Sequence, residues 1–324
     1  MTPTGPRRAA VVANPTKGDQ ARLRRLVTAA EEAHGWEPTV WFETTPSEPG
    51  GTQARAAAAS GVDVVLAVGG DGTVRAVAEG LRGSGTALAV VPFGTGNLLV
   101  RNLGLPLGFE ESVRIAFDGH ERRIDTGVAT LERPDGTPHE HAFVVMAGLG
   151  IDAKMIAKTS TKLKKAVGWL AYVDGGMRAL AELQPVRLRY SLDGSPSRSV
   201  SAHSVMVGNC GVLPGGILLI PEAVPDDGVL DIVALRPRGP FGWLKVWNTL
   251  TWENGVLRRS AAGRKLIDLR KDARDVTYLR GGDIRIRMEE AQEIQLDGDG
   301  FGLASAVRIR VDPGSLLVRT ADAD

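Results

Sequence analysis

At 324 residues the chain is long enough for about two domains of roughly 150 residues each. Hydrophobic residues make up 43% and charged residues 24%, an ordinary globular mix that excludes a disordered or fibrous protein. Lys and Arg (39) balance Asp and Glu (38), so no overall field exists to hold a polyanion, and a nucleic-acid partner is not expected. A single cysteine, Cys210, excludes a disulfide framework and a Cys-rich zinc site. No apolar run approaches the roughly 18 residues that span a bilayer, and the expected location is the cytoplasm.

Short β-rich apolar runs alternate with helical periods as far as residue 125. RRAAVVANP, EPTVWFET, VDVVLAVGG and TALAVVPFG read as strands, with helices at Gln20 to Ala33, Gln53 to Ala59 and Thr73 to Leu81 between them. Such βα units build a parallel, doubly wound sheet. After Asp125 the texture changes: GVATLERPDGTPHEHAFVVMAG and RLRYSLDGSPSRSVSAHSVMVGN each read as two strands about a turn. The second half therefore predicts an antiparallel β domain, interrupted by helices at about 153–183 and 241–254.

The motifs cluster at strand ends. The third strand runs into Gly69, Gly70, Asp71, Gly72 and Thr73 and then a helical pattern, an arrangement in which glycines admit a phosphate to the backbone and the helix N-terminus donates free N–H groups. The fourth strand ends in Gly94, Thr95, Gly96 and Asn97, again before a helical run. Leu99 stands where a dinucleotide fingerprint needs its third glycine, and no Walker P-loop occurs anywhere. The loop Asn14 to Gly18 after the first strand reaches the same sheet edge. Far along the chain, EIQLDGDGFG places Asp297 and Asp299 around Gly298. Two such carboxylates can serve as a base and a magnesium ligand, although the same four residues also make a plain hairpin turn.

Taken in order, ANPTKG, VGGDGT, PFGTGN, GLGID, PEAVPDDGVLD and LDGDG resemble the diacylglycerol kinase catalytic-domain family, which includes bacterial lipid kinases and sphingosine kinases. The resemblance covers nearly the whole chain. It implies an NAD kinase/diacylglycerol kinase-like fold: a three-layer α/β unit formed by residues 1–125 with 305–324, and a β-sandwich lipid unit formed by 126–304. It implies that Gly69 to Thr73 and Thr95 hold ATP phosphates, with Asn14 and Thr44 or Thr45 near the nucleoside. Asp297 resembles the family's proton acceptor, and a structural magnesium site would fall on the Asp227 side chain and the Val224 and Val229 carbonyls. Asp71, helped by Asp299, would hold the magnesium that bridges the ATP oxygens.

The sequence departs from that pattern at three places. Arg75 and Ala76 replace the usual Asn-Glu after GGDGT-x, Leu98 stands where many members carry Asp, and Asp299 replaces a Glu. Two segments point toward lipid by composition. Lys154, Lys158, Lys162, Lys164 and Lys165 precede Trp169 and Tyr172, as in a basic amphipathic helix on an anionic membrane, or in an ordinary solvated face. Phe241, Trp243, Trp247 and Trp252 form either core packing or the lip of an apolar cleft. The expectation is an ATP- and magnesium-dependent kinase acting on a lipid hydroxyl, with peripheral membrane contact. The alternatives are an NAD kinase, which shares GGDGT, and an inactive relative that binds nucleotide or lipid without transfer.

Overall fold

The computed structural model describes residues 6–150, 184–213, 217–237, 242 and 275–321. The basic segment with Lys158, Lys162, Lys165 and Trp169 and the aromatic segment with Phe241, Trp243, Trp247 and Trp252 lie outside the described residues.

The chain begins with β1 (Arg8–Ala13), α1 (Gln20–His34), β2 (Glu37–Glu43), α2 (Gly51–Ala59), β3 (Val64–Gly69), α3 (Asp71–Leu81), β4 (Ala87–Pro92), α4 (Leu98–Asn102) and α5 (Phe109–Asp118). These four strands lie parallel in the order β2-β1-β3-β4. Because side chains alternate across a strand, β3 sends Val64, Leu66 and Val68 to the face covered by α1 and α5, and Val65 and Ala67 to the face covered by α2 and α3. The result is three layers. Asp19 caps α1 by accepting the Arg22 N–H, and Gly35 closes it at φ 65°, a left-handed conformation that glycine adopts without strain. The sequence reading contains no helix at α5; its amphipathic pattern buries Val113, Ile115, Ala116 and Phe117.

Then come β5 (His120–Glu132), β6 (Pro138–Phe143), β7 (Met146–Leu149), β8 (Val186–Leu192), β9 (Arg198–Ala202), β10 (Ser204–Gly208), β11 (Val212–Leu213), β12 (Ile217–Leu218), β13 (Leu230–Leu235), β14 (Val276–Gly281), β15 (Asp283–Leu296) and β16 (Asp299–Thr320). They form an antiparallel β-sandwich whose core includes Leu188, Ile232, Ile284, Ile286, Ile294 and Val307. The two sheets are continuous. β16 pairs antiparallel with β15 and β5, shifts register between Asp312 and Leu316, and then runs parallel to β4 at Leu317 and Val318. This 22-residue strand brings the carboxylate turn before it to the edge where β3 and β4 end.

Candidate active site

The two glycine loops meet backbone to backbone. A Cβ on Gly94 would lie 2.8 Å from Asn97 Oδ1 and 3.0 Å from the Gly70 Cα, so the fourth-strand loop has no room for a side chain at the contact. Gly70 precedes α3 with extended backbone and no side-chain cap, which leaves the first N–H groups of an eleven-residue helix open to an anion. Thr73 is buried against Gly69, whereas Thr95 is exposed on the opposite loop.

Asp71 ties these loops together. Its Oδ2 accepts the Asn97 N–H at 3.0 Å and its Oδ1 accepts the Leu98 N–H at 2.6 Å. Each oxygen therefore gives one lone pair to backbone and keeps one for another donor or a cation. Asn97, at φ 47°, also accepts the Gly94 N–H through its side chain, so the GTGN turn is fixed from both ends. The Asn14 side chain accepts from the Thr16 N–H and hydroxyl, holding its own loop in shape. Gly18 of that loop lies against the Phe93 ring, so the first and fourth strand ends are in contact. At the end of β2, Thr44 is buried and its N–H donates to Ala13 O, while Thr45 is exposed and its hydroxyl accepts the Glu48 N–H.

The two carboxylates of the β15–β16 turn differ sharply. Asp297 is 4% exposed and left-handed at φ 50°, a conformation that Asp and Asn adopt more readily than most residues. Its Oδ1 accepts the Val145 and Met146 N–H groups at 2.8 Å, and its Oδ2 accepts that of Val144 at 2.9 Å. Oδ2 keeps one lone pair. Burial pushes its pKa up to about 6, against the pull of those three N–H groups and of Arg75. Asp299 is half-exposed, and its Oδ2 would lie 2.7 Å from a Cβ on Gly72. Burial raises its pKa as well; Arg75 opposes the rise and Asp71 adds to it. Asp71 opens α3 and Asp299 lies over Gly72, so two carboxylates stand at the helix start. The arrangement suits magnesium, which takes one or two carboxylates together with substrate phosphates. Among the described residues no group of three or more Asp, Glu, His or Cys side chains forms a protein-only metal site.

In the loop Pro225 to Val229 both oxygens of the Asp227 carboxylate already have partners. Asp227 accepts the Val229 N–H through Oδ1 and pairs with Arg280 through Oδ2, and Arg280 also reaches the buried Asp231 at 3.0 Å. Val224 is exposed on the approach to this loop. A guanidinium thus pairs with Asp227, so a magnesium held there would share the carboxylate with Arg280 or displace it.

Sequence reasoning passed over Asp125. This buried carboxylate accepts the Gly228 and Gly314 N–H groups, each at 2.7 Å, joining the 225–229 loop to β16. The buried Asn209 donates to Asp125 O and Val144 O, so the same clamp reaches the backbone that holds Asp297. The only sequence signal for it was a lone Asp at the point where the texture changes.

Two phosphate-admitting loops on adjacent parallel strands, faced by a carboxylate turn from an antiparallel sandwich, define the NAD kinase/diacylglycerol kinase-like class of kinase fold. Residues 8–129 match the diacylglycerol kinase catalytic domain, and residues 144–254 match the YegS C-terminal NAD kinase beta sandwich-like domain. A Pseudomonas aeruginosa (strain UCBPP-PA14) protein named "Probable lipid kinase YegS-like" is 32% identical over 81% of this chain and 78% of its own length. The Bacillus subtilis (strain 168) diacylglycerol kinase is 26% identical over 92% and 91%. A diacylglycerol kinase crystal structure from Bacillus anthracis superposes with a TM-score of 0.67 at 22% identity, covering 97% of this chain and 96% of the other. The chain belongs to the diacylglycerol kinase catalytic-domain family.

Proposed function

We propose that the protein is an ATP-dependent lipid kinase that transfers the γ-phosphate of ATP to a lipid hydroxyl. The observation that carries this reading is the meeting of the Gly69–Thr73 and Gly94–Asn97 loops under the Asp297–Asp299 turn. Main-chain N–H groups at the start of α3, with Thr73 and Thr95, receive the phosphates, while Asn14 and Thr44 or Thr45 at the neighbouring strand ends face the nucleoside. Magnesium bound with ATP would neutralise phosphate charge, held by Asp71 and Asp299. Nothing in the reaction is routed through a metal at Asp227.

In-line transfer needs positioning and a group that takes the hydroxyl proton. Asp297 supplies the second. Three N–H groups fix its carboxylate, its Oδ2 keeps a lone pair, and a pKa near 6 leaves it largely ionised at neutral pH yet basic enough to accept a proton. Residues 1–125 with 305–324 act as the nucleotide unit and 126–304 as the lipid unit, with contact to an anionic membrane through the Lys158 to Trp169 segment.

Lipid-kinase relatives across most of the chain favour this reading over an NAD kinase. The retained Asp297 favours it over an inactive binding relative. The test is incubation with labelled ATP, magnesium and a panel of diacylglycerol, sphingosine, phosphatidylglycerol and NAD. Labelled lipid is expected; label in NADP alone, or in no acceptor, overturns the reading.

A further inference from the structure

Arg75 stands at the start of the second turn of α3, and its side chain is only 8% exposed. Burying a guanidinium is costly unless its donors and its charge are matched. Part of that match is present. Nη1 donates to Glu79 Oε2 at 3.0 Å and lies 3.4 Å from Ala142 O, and the guanidinium carbon sits 4.5 Å from the centre of the Phe301 ring. Phe301 is held in turn, because its carbonyl accepts from Arg133 at 2.5 Å and its ring packs on His141 at 4.6 Å. Nε, by contrast, is buried with no hydrogen-bond acceptor. The anion nearest to it is Asp299 Oδ2 at 3.8 Å, the same oxygen that lies over Gly72.

We propose, resting on the kinase reading above, that Arg75 is a positioning residue: as the buried counter-ion of Asp299, it holds that carboxylate across Gly72 to receive magnesium-bound ATP. An aspartate has one side-chain torsion fewer than a glutamate and a shorter reach, so its placement depends more on what lies behind it. Arg75 lies behind it. The guanidinium is planar and clamped by Glu79 and Phe301, and its Nε lies 3.8 Å from Asp299 Oδ2. Besides Asp299, Glu79 pairs with Arg75 on its own helix, and His141 of the β5–β6 hairpin and Asp297 in the turn feel its charge.

The effect is read first as binding, which needs no lipid. Isothermal calorimetry on Arg75→Met combined with Glu79→Gln, so that neither partner is left as an unpaired buried charge, should show MgATP affinity reduced about tenfold, with ATP affinity in EDTA within about twofold of wild type. Arg75→Lys, which keeps the charge without the fork, should recover part of the loss and serves as the working variant if the double substitution fails to fold. In an Asp299→Asn background the Arg75 change should cost less than about twofold more, because residues acting through one another are not additive. Equal losses with and without magnesium, or full additivity with Asp299→Asn, would overturn the proposal and leave Arg75 a purely structural residue. The kinase reading fails separately, if wild-type protein binds no ATP. Wild-type binding with unchanged variants sinks only the role of Arg75.

Discussion

At the ends of β3 and β4 the crevice is built almost entirely from main chain: glycines that leave room, helix-start N–H groups, and one aspartate spent on holding two loops together. The turn between β15 and β16 contributes the opposite, two carboxylates whose environments differ although they stand two residues apart. Asp297 is enclosed and pinned by three N–H groups, while Asp299 is half-open beside a cation. Burial raises both carboxyls, and on the reading proposed above their unlike surroundings would divide the labour of a phosphotransfer site. On the same reading, the parallel half would receive phosphate and the antiparallel half would supply charge and a proton acceptor.

The most severe test of that division is Asp297→Asn. Asn keeps the size and tolerates the left-handed backbone, but it cannot accept the proton, so kcat should fall by about 10² to 10⁴. ATP affinity, measured by calorimetry, should stay close to wild type because the phosphates belong to the other half. A parallel loss of ATP affinity would erase the distinction. In the wild type, kcat should rise with pH through the region of about 6, where Asp297 ionises.

Gly72→Val probes the other half. Its first carbon would lie 2.7 Å from Asp299 Oδ2, the end of a half-exposed side chain that can swing aside, so displacing that carboxylate should cost about tenfold in nucleotide affinity, roughly 1.4 kcal/mol. The thermal midpoint should change far less than the affinity.

Arg280→Met is a test of stability away from the crevice. It strips the counter-ion from Asp231, whose side chain is 5% exposed, and should cost about 2 kcal/mol, less than for a fully buried pair because Arg280 itself is 45% exposed. Burial holds the Asp231 pKa above its unfolded value and Arg280 opposes that shift, so its removal raises the folded pKa further. The folded variant then binds more protons than the unfolded chain between the two values, and its stability falls as pH rises through them. Denaturant titrations at pH 5 and pH 8 should show the larger deficit at pH 8. The smallest effect is expected for Thr95→Ala. Its exposed hydroxyl offers one hydrogen bond to a phosphate, worth about 1 kcal/mol, and KM for ATP should rise about fivefold.

The contrast between the halves also explains what could be read from the sequence. A parallel strand buried on both faces is a continuous apolar run, and VDVVLAVGG and TALAVVPFG mark both the strand and the loop that follows, so β1 to β4 and the glycine motifs were legible. Helix α5 was not, because its apolar residues fall between charges in a stretch with no cap signal. In the sandwich half the site depends on contacts between distant segments. That Asp297 meets the backbone of Val144 to Met146 or that Asp227 faces Arg280 is a matter of strand pairing across 53 to 153 residues. No local pattern encodes those meetings. The family resemblance suggests the role of Asp297 and a metal at Asp227, beside which this chain places Arg280.

The strand β16 has a consequence for how the molecule is made. Leu317 and Val318 lie beside Ala87 and Leu88, so the first sheet borrows an edge from residues 230 positions later (317 − 87). On a ribosome adding roughly 5 to 20 residues per second, the βα units emerge and wait for that edge through the synthesis of the entire sandwich. During this interval β4 offers an unpaired, wholly apolar flank, the kind of edge that invites pairing with another nascent chain. Chaperone engagement and aggregation during expression should therefore centre on the first 120 residues, and a stop codon placed just before Ser315 should damage the part of the protein made first.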